Sequence, residues 1–230
     1  MNTKNFCFPQ NTINFLTKLS KNNSKVWFET NREKFNEDFL SPSLQFVIEM
    51  GERLSTLSPN INAIPKIDKS IFRLHRDIRF SKDKSPFKTN MGLYFWEGRG
   101  KKMECSGYYF HLEPKMFFVG AGMYMFTKEQ LLNYRQIISK PETAKSLAGL
   151  ISKLIKKNNY KLGGKTFKKT PRGFDPDYKY NHLLLHSGLY LSYEKTSFND
   201  LTKNHPVDFV FKIFKDLHPI HKWCVDNITG

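Results

Sequence analysis

Residues 64–90 of the chain read IPKIDKSIFRLHRDIRFSKDKSPFKTN, with three arginines in seven positions followed by a lysine-bearing loop. From Ile71 to Phe80 the side chains alternate in character, which predicts a β-strand because successive residues of a strand point to opposite faces. The apolar face would carry Phe72, Leu74, Ile78 and Phe80. The ionisable face would carry Arg73, His75, Asp77 and Arg79, and Arg76 breaks the alternation.

The clustered arginines favour an anion-binding site. A guanidinium is always charged and binds phosphate or carboxylate through two parallel hydrogen bonds. The predicted ligand-binding residues are Arg73, Arg76, Arg79, Lys84, Lys88, Tyr109 and Arg172. The same charges also fit an internal ion-pair network with Asp77, Asp83 and Glu113, which would hold the sheet face in register. Both interpretations stay open from the sequence.

Ionisable side chains near the arginines supply candidate catalytic groups, which are His75, His111 and Asp77. A histidine beside an anion site is suited to general acid–base catalysis, since its pKa lies near neutral pH. Hydrogen-bonded, half-buried polar residues are the structural alternative. The motifs do not decide whether the protein is an enzyme.

Helices are predicted before, between and after the strands. The first 60 residues carry helical spacing, with Ser24 as a cap and Ser41-Pro42 as a helix start. Later helices are predicted over 128–139, from Pro141 onward, and over 208–225 with an interruption at Pro219. His182 to His186 reads as a short helix.

Short turns separate the remaining strand candidates, which are Met91–Trp96, Gly107–Glu113, Met116–Val119 and Gly188–Tyr193. Consecutive strands joined by short turns predict antiparallel pairing. In the second of them, Tyr108, Phe110 and Leu112 form the apolar face. Tyr109, His111 and Glu113 form the polar face. The sequence therefore predicts an α+β fold as one domain over residues 1–230, a central, mostly antiparallel sheet covered by N-terminal, middle and C-terminal helices.

The formal net charge is +16 at pH 7 and the pI is about 9.7, so polyanions are natural partners. Residues 66–102 hold 11 Lys/Arg against 4 Asp/Glu, and residues 153–179 hold 9 against 2. These two segments carry most of the excess charge. A Lys- and Asn-rich composition also arises from nucleotide bias, with solvated lysines, and this alternative stays open.

The three cysteines, Cys7, Cys105 and Cys224, are odd in number and follow no zinc or disulfide spacing, which favours a reducing compartment. His182 and His186 have i,i+4 spacing, but no Glu completes a hydrolase motif, so neither a metal nor a cofactor is predicted. No apolar run of membrane-spanning length occurs in the sequence. These features predict a cytoplasmic protein.

Four stretches resemble the domain of unknown function 2461 family. They are Ser70–Asn90, Trp27-Phe28 with Asn31-Arg32, Gly107-Tyr108-Tyr109 through Gly120-Ala121-Gly122, and Pro171-Arg172-Gly173-Phe174-Asp175. The resemblance covers nearly the whole chain and implies a single-domain α+β fold. The family has no established reaction or ligand, so the resemblance assigns no catalytic role to any residue.

The sequence thus predicts a protein that binds a phosphate-bearing ligand in a basic cleft, either a nucleic acid or a phosphorylated metabolite. One alternative is a hydrolase-type enzyme acting on a phosphate or carboxylate ester. The other is a structural or partner-binding protein whose Arg-Asp motif is an internal network.

Overall fold

The computed structural model describes residues 8–203 and 205–229, so Cys7 lies outside the described residues. The helices are α1 (Gln10–Lys21), α2 (Lys25–Thr30), α3 (Arg32–Lys34), α4 (Ser41–Ser55), α5 (Lys128–Ile138), α6 (Pro141–Asn158), α7 (Asn181–Leu184), α8 (Asn199–Thr202) and α9 (Pro206–Cys224). Helical turns of other types occupy Phe35–Leu40, Lys102–Glu104 and Val225–Thr229.

Six strands form one antiparallel sheet. They are β1 (Ile61–Asn62), β2 (Met91–Glu97), β3 (Gly107–Glu113), β4 (Met116–Met123), β5 (Lys161–Lys165) and β6 (His186–Lys195). Their order across the sheet is β1-β2-β3-β4-β6-β5. Helices and an antiparallel sheet together confirm the α+β prediction. Strand β5 was not predicted from the sequence; it pairs with β6, with an irregularity between Gly163 and Lys165.

The chain divides into two compact units. The described residues of the first unit fall in 8–95, 109–119 and 194–212, and those of the second fall in 96–108, 120–193 and 213–229. The prediction of a single domain stays a prediction.

Aromatic rings fill the core of the first unit. Phe8 stacks on Phe110 with 5.4 Å between ring centroids, and Phe46 packs 5.0 Å from the same Phe110 ring. All three rings are fully buried, and each contributes about 2 to 3 kcal/mol of hydrophobic stabilisation. Helix α2 begins as predicted, because the Ser24 hydroxyl accepts a hydrogen bond from the Trp27 amide at 3.2 Å.

The second unit is built around α5 and α6. A capping box starts α5, in which Thr127 and Gln130 satisfy each other's backbone amides. Fully buried Tyr134 donates a hydrogen bond to the Leu183 carbonyl at 3.0 Å, and burial raises the pKa of its phenol. Pro141 lies in the first turn of α6 as predicted, where its missing N–H costs nothing.

The predicted strand from Ile71 to Phe80 is not a regular strand. Single-residue bridges join Ile71 to Leu93 and His75 to Phe87, and the residues between them follow no ladder. Phe80 was expected on the apolar face but is 95% exposed. The alternation fails at Arg76, whose side chain turns back to bind its own loop (see below).

The predicted interruption at Pro219 is also wrong, because α9 runs through this residue. Proline removes one helical hydrogen bond, but the neighbouring Leu217 and Ile220 are fully buried. Their packing outweighs the local preference to break the helix.

Candidate anion-binding face

Strand β3 separates its side chains into two faces as predicted. Tyr108, Phe110 and Leu112 are fully buried. Tyr109, His111 and Glu113 point to the other side and keep part of their surface exposed. We call these three residues the β3 polar face, and all three belong to the first unit.

Aromatic packing fixes the position of Tyr109. The Phe72 ring meets it edge-on, at 6.0 Å and 82°, and the Tyr94 ring lies 6.4 Å away. The glycine at position 92 leaves room for this packing, since a Cβ there would come within 2.8 Å of the Tyr109 hydroxyl and 3.2 Å of Phe72 and displace one of them. Phe72, read from sequence as a core residue, therefore lies beside the β3 polar face.

A chain of hydrogen bonds runs along the β3 polar face. The Tyr109 hydroxyl lies 3.1 Å from His111 Nδ1, and His111 Nε2 lies 3.4 Å from Glu113 Oε2. The Asn90 amide nitrogen is 3.5 Å from the same Nδ1. Because a carboxylate only accepts hydrogen bonds, Nε2–H is the donor to Glu113 and Nδ1 of the neutral ring is an acceptor. The imidazole stacks on Phe118 at 4.5 Å.

The partial burial of His111 affects its protonation. Burial lowers the pKa of His111 below its usual value, and the neighbouring Glu113 carboxylate offsets only part of that effect. The imidazole is therefore mainly neutral near pH 7.

Arg73 and Lys88 form a second feature, which we call the cation pair. Arg73 is 58% exposed and makes a long ion pair with Asp68, at 3.9 Å. The Lys88 ammonium lies 5.5 Å from the centre of the Phe72 ring. Partial desolvation lowers the pKa of Lys88, and the nearby positive charge of Arg73 lowers it further. The Lys88 ammonium thus lies beside an aromatic ring, and the positive charge of Arg73 acts on it.

The other two arginines are engaged by their own loop, residues Arg76–Ser85, which we call the arginine loop. Arg76 binds the Asp83 carboxylate and donates to the Ser85 carbonyl at 3.1 Å and to the Ser81 hydroxyl at 3.3 Å. Hydrogen bonds from Ser85, and then Arg76, lower the pKa of Asp83 to about 2.

Arg79 forms two hydrogen bonds to Asp77, at 3.0 and 2.7 Å, which lower the pKa of that carboxyl. The Lys84 ammonium donates to the Ile78 carbonyl at 3.1 Å. Asp77 and Asp83, two of the three carboxylates predicted for an internal network, are thus bound within the arginine loop, whereas Glu113 contacts His111.

Two more of the predicted site residues, His75 and Arg172, belong to different units of the chain. The His75 ring is exposed and packs 4.8 Å from Phe87. Arg172 is exposed in a turn of the second unit, where the Phe174 amide donates to the Pro171 carbonyl at 3.2 Å. Its part in an anion site stays a prediction.

Asn23 supports the candidate site but was not found from sequence. Its side-chain amide donates to the Phe87 carbonyl at 2.9 Å, and its oxygen accepts from the Phe87 amide at 3.1 Å. This clamp fixes the residue that directly precedes Lys88. The two partners are 64 positions apart in sequence, so no local sequence pattern predicts the contact.

A buried polar chain in the second unit was also missed. The Ser106 hydroxyl lies 2.9 Å from His221 Nδ1, and His221 Nε2 lies 2.8 Å from a Glu97 carboxylate oxygen. The order of groups is that of a serine-hydrolase triad. Ser106 and His221 are both fully buried, so the chain is an interior network that no substrate reaches in this conformation.

His182 and His186 do not share a helix face, because α7 ends at Leu184 and His186 opens β6. His186 is buried and its Nδ1 lies 3.1 Å from the His182 carbonyl. Within the described ranges, no group of three or more His, Cys, Asp or Glu side chains is arranged to hold a metal ion. Among those same residues, no helix has both the length and the apolar character needed to cross a membrane.

Comparison with known proteins places the chain in a family. A family model described as "Conserved hypothetical protein (DUF2461)" matches residues 11–223. The match covers most of the chain, so the protein belongs to this family, and the resemblance noted from its motifs is confirmed. No match was found among the curated proteins or the solved structures.

Proposed function

We propose that this protein binds a phosphate-bearing ligand through the cation pair, beside the β3 polar face. The observation that carries the proposal is the exposed Arg73 guanidinium next in sequence to Phe72, whose ring centre lies 5.5 Å from the Lys88 ammonium. The Asp68 carboxylate offsets part of the repulsion between the two cations, and a bound phosphate would offset more of it. A nucleic acid and a phosphorylated metabolite both supply such an anion.

The Arg73 guanidinium suits this role because the contact of Arg73 with Asp68 is long and leaves most of the arginine side chain exposed to solvent. A phosphate accepts two parallel hydrogen bonds from a guanidinium, whereas an ammonium contributes a point charge. In this proposal Tyr109 provides a hydroxyl at the edge of the site. Arg76, Arg79 and Lys84 shape the arginine loop through their hydrogen bonds within it.

The test is a titration with a fluorescently labelled single-stranded oligonucleotide at several salt concentrations. Each lost phosphate contact reduces the slope of log affinity against log salt by about 0.7 for single strands. We expect this reduction, with weaker binding, for Arg73→Met and for Lys88→Met. Inorganic pyrophosphate should compete with the oligonucleotide in the wild-type protein.

Arg53→Met is the matched control. Arg53 belongs to the same unit and is 54% exposed, but it is bound to Asp208 at 2.7 Å. This variant lowers the net charge by the same amount but removes no proposed phosphate contact. It should therefore retain the wild-type slope of log affinity against log salt. Equal slopes for the wild type, Arg73→Met and Lys88→Met would refute the proposal.

A second candidate is hydrolysis of a phosphate or carboxylate ester at the same face. It is favoured by the chain of Tyr109, His111 and Glu113, in which a neutral imidazole accepts a proton at Nδ1 and Glu113 orients the ring through Nε2. Turnover of p-nitrophenyl phosphate or acetate should then be lost in His111→Gln and kept in His75→Gln. Wild-type protein that releases no more nitrophenol than buffer would eliminate this candidate.

The interpretation of the arginines as fold-stabilising groups applies, in our proposal, to Arg76 and Arg79. Their bonds to Asp83 and Asp77 support this division of roles. We also propose a cytoplasmic location, which is supported by Cys105 and Cys224, since both are buried as thiols rather than joined in disulfides.

A further inference from the structure

Phe80 stands at the tip of the arginine loop and is 95% exposed. Single apolar side chains are common on protein surfaces and carry no meaning alone. Phe80 differs because hydrogen bonds and ion pairs hold the residues on both sides of it. The ring is therefore held out in solvent by its loop.

The ties are contacts within the loop itself. On one side Arg79 is bound twice to Asp77, and the Ser81 amide donates to the Ile78 carbonyl at 3.3 Å. On the other side Lys84 reaches back to the Ile78 carbonyl at 3.1 Å. Arg76 closes the base of the loop through its bonds to Asp83 and Ser85. Because the loop is preorganised, a ligand that contacts Phe80 loses little free energy in ordering it.

One cation lies beside the exposed ring, and two more follow it in sequence. The Arg79 guanidinium carbon lies 5.9 Å from the centre of the ring, and Arg79 is itself 76% exposed. Lys82 and Lys84 follow within four residues and are also exposed. Aromatic side chains interleaved with cations bind single-stranded nucleic acids, in which unpaired bases stack on the rings and the cations follow the backbone.

We propose that Phe80 is a base-stacking residue, and that the ligand of the first unit is a single-stranded nucleic acid. This inference rests on the proposed phosphate binding by the cation pair and specifies its ligand class. A membrane surface fits less well, since the loop tip offers one ring with Asp77 and Asp83 near it in sequence. A single small apolar anchor gives only marginal membrane binding.

The experiment compares two oligonucleotides of equal length and charge, one with bases and one fully abasic, on four proteins. These are the wild type, Phe80→Ala, Phe80→Trp and Tyr124→Ala. Tyr124 is the control, being an aromatic residue of the second unit that is 66% exposed. Phe80 contacts solvent, so Phe80→Ala should unfold at the wild-type temperature.

A stacked base contributes about 1 to 3 kcal/mol, so Phe80→Ala should bind the base-containing strand at least about fivefold more weakly. Phe80→Trp and Tyr124→Ala should bind it as the wild type does. The abasic strand should bind the wild type and Phe80→Ala equally, which separates stacking from charge.

Three results would overturn the inference. Equal affinity of the wild type and Phe80→Ala for the base-containing strand removes Phe80 as a stacking residue. Equal affinity of the wild type for both strands removes base stacking, while phosphate binding through Arg73 and Lys88 stands. Loss of binding by Phe80→Ala to phosphatidylserine vesicles, with unchanged oligonucleotide binding, assigns the ring to a membrane surface instead.

Discussion

Replacing Asn23 by Ala should weaken both the fold of the first unit and its ligand site. The change removes the two hydrogen bonds to the backbone of Phe87, at 2.9 and 3.1 Å. Phe87 is 2% exposed and stacks on Phe28 at 4.2 Å, so water reaches its amide and carbonyl poorly. Each partly buried group left unsatisfied costs about 1 kcal/mol, which gives a loss of about 2 kcal/mol in the free energy of unfolding.

Urea denaturation measures this loss, and the oligonucleotide titration measures its effect on binding. In a chain of this length, a loss of about 2 kcal/mol lowers the melting temperature by about 4 to 8 °C. Affinity should also fall, because Lys88 follows Phe87 directly, but by less than in Lys88→Met.

Asn14→Ala is the matched control, since Asn14 is an exposed residue of α1 in the same unit. It should keep both the stability and the affinity of the wild type. If Asn23→Ala has the same melting temperature as Asn14→Ala, the clamp does not stabilise the fold. If it loses stability but binds normally, the clamp does not position Lys88.

Two further predictions concern the histidines. His221→Ala should lower the free energy of unfolding by about 3 kcal/mol or more, because it leaves a cavity and removes the hydrogen bonds of the imidazole to Ser106 and Glu97. The control is His182→Ala, since His182 is exposed. Equal urea denaturation curves for the two variants would contradict a stabilising role of the buried network. For His111 the folded-state pKa lies below 6.5, so the unfolded chain binds more protons and stability falls as the pH drops through 6.5. His111→Gln should reduce that loss in urea titrations repeated across this pH range, and an unchanged pH dependence would refute it.

The sequence predicted best where one physical pattern dominates. Gly107–Glu113 alternates without a break, and both of its faces are found as expected. The Ser24 cap and the proline of α6 are equally local signals, since each satisfies or removes a backbone group within its own turn. Such patterns identified Tyr109 and His111 as neighbours on one face.

The sequence failed where side chains compete with the backbone or meet across long separations. Arg76 bonds to its own loop, so the alternation around it never becomes a strand. Pro219 breaks isolated helices, but burial of Leu217 and Ile220 overrides that preference. Ser106 meets His221 across 115 positions, and one sequence contains no signal for such a contact.

The two edge strands of the sheet, β1 and β5, affect whether copies of the chain associate. An outer strand presents unpaired backbone groups and can recruit another strand, which leads to aggregation. Strand β1 has only two residues, which leaves little backbone to pair. Strand β5 has an exposed lysine at each end, Lys161 and Lys165, and an irregular register between Gly163 and Lys165. Charge and irregular pairing oppose strand addition at that border, so replacing both lysines by valine should promote fibrous self-association.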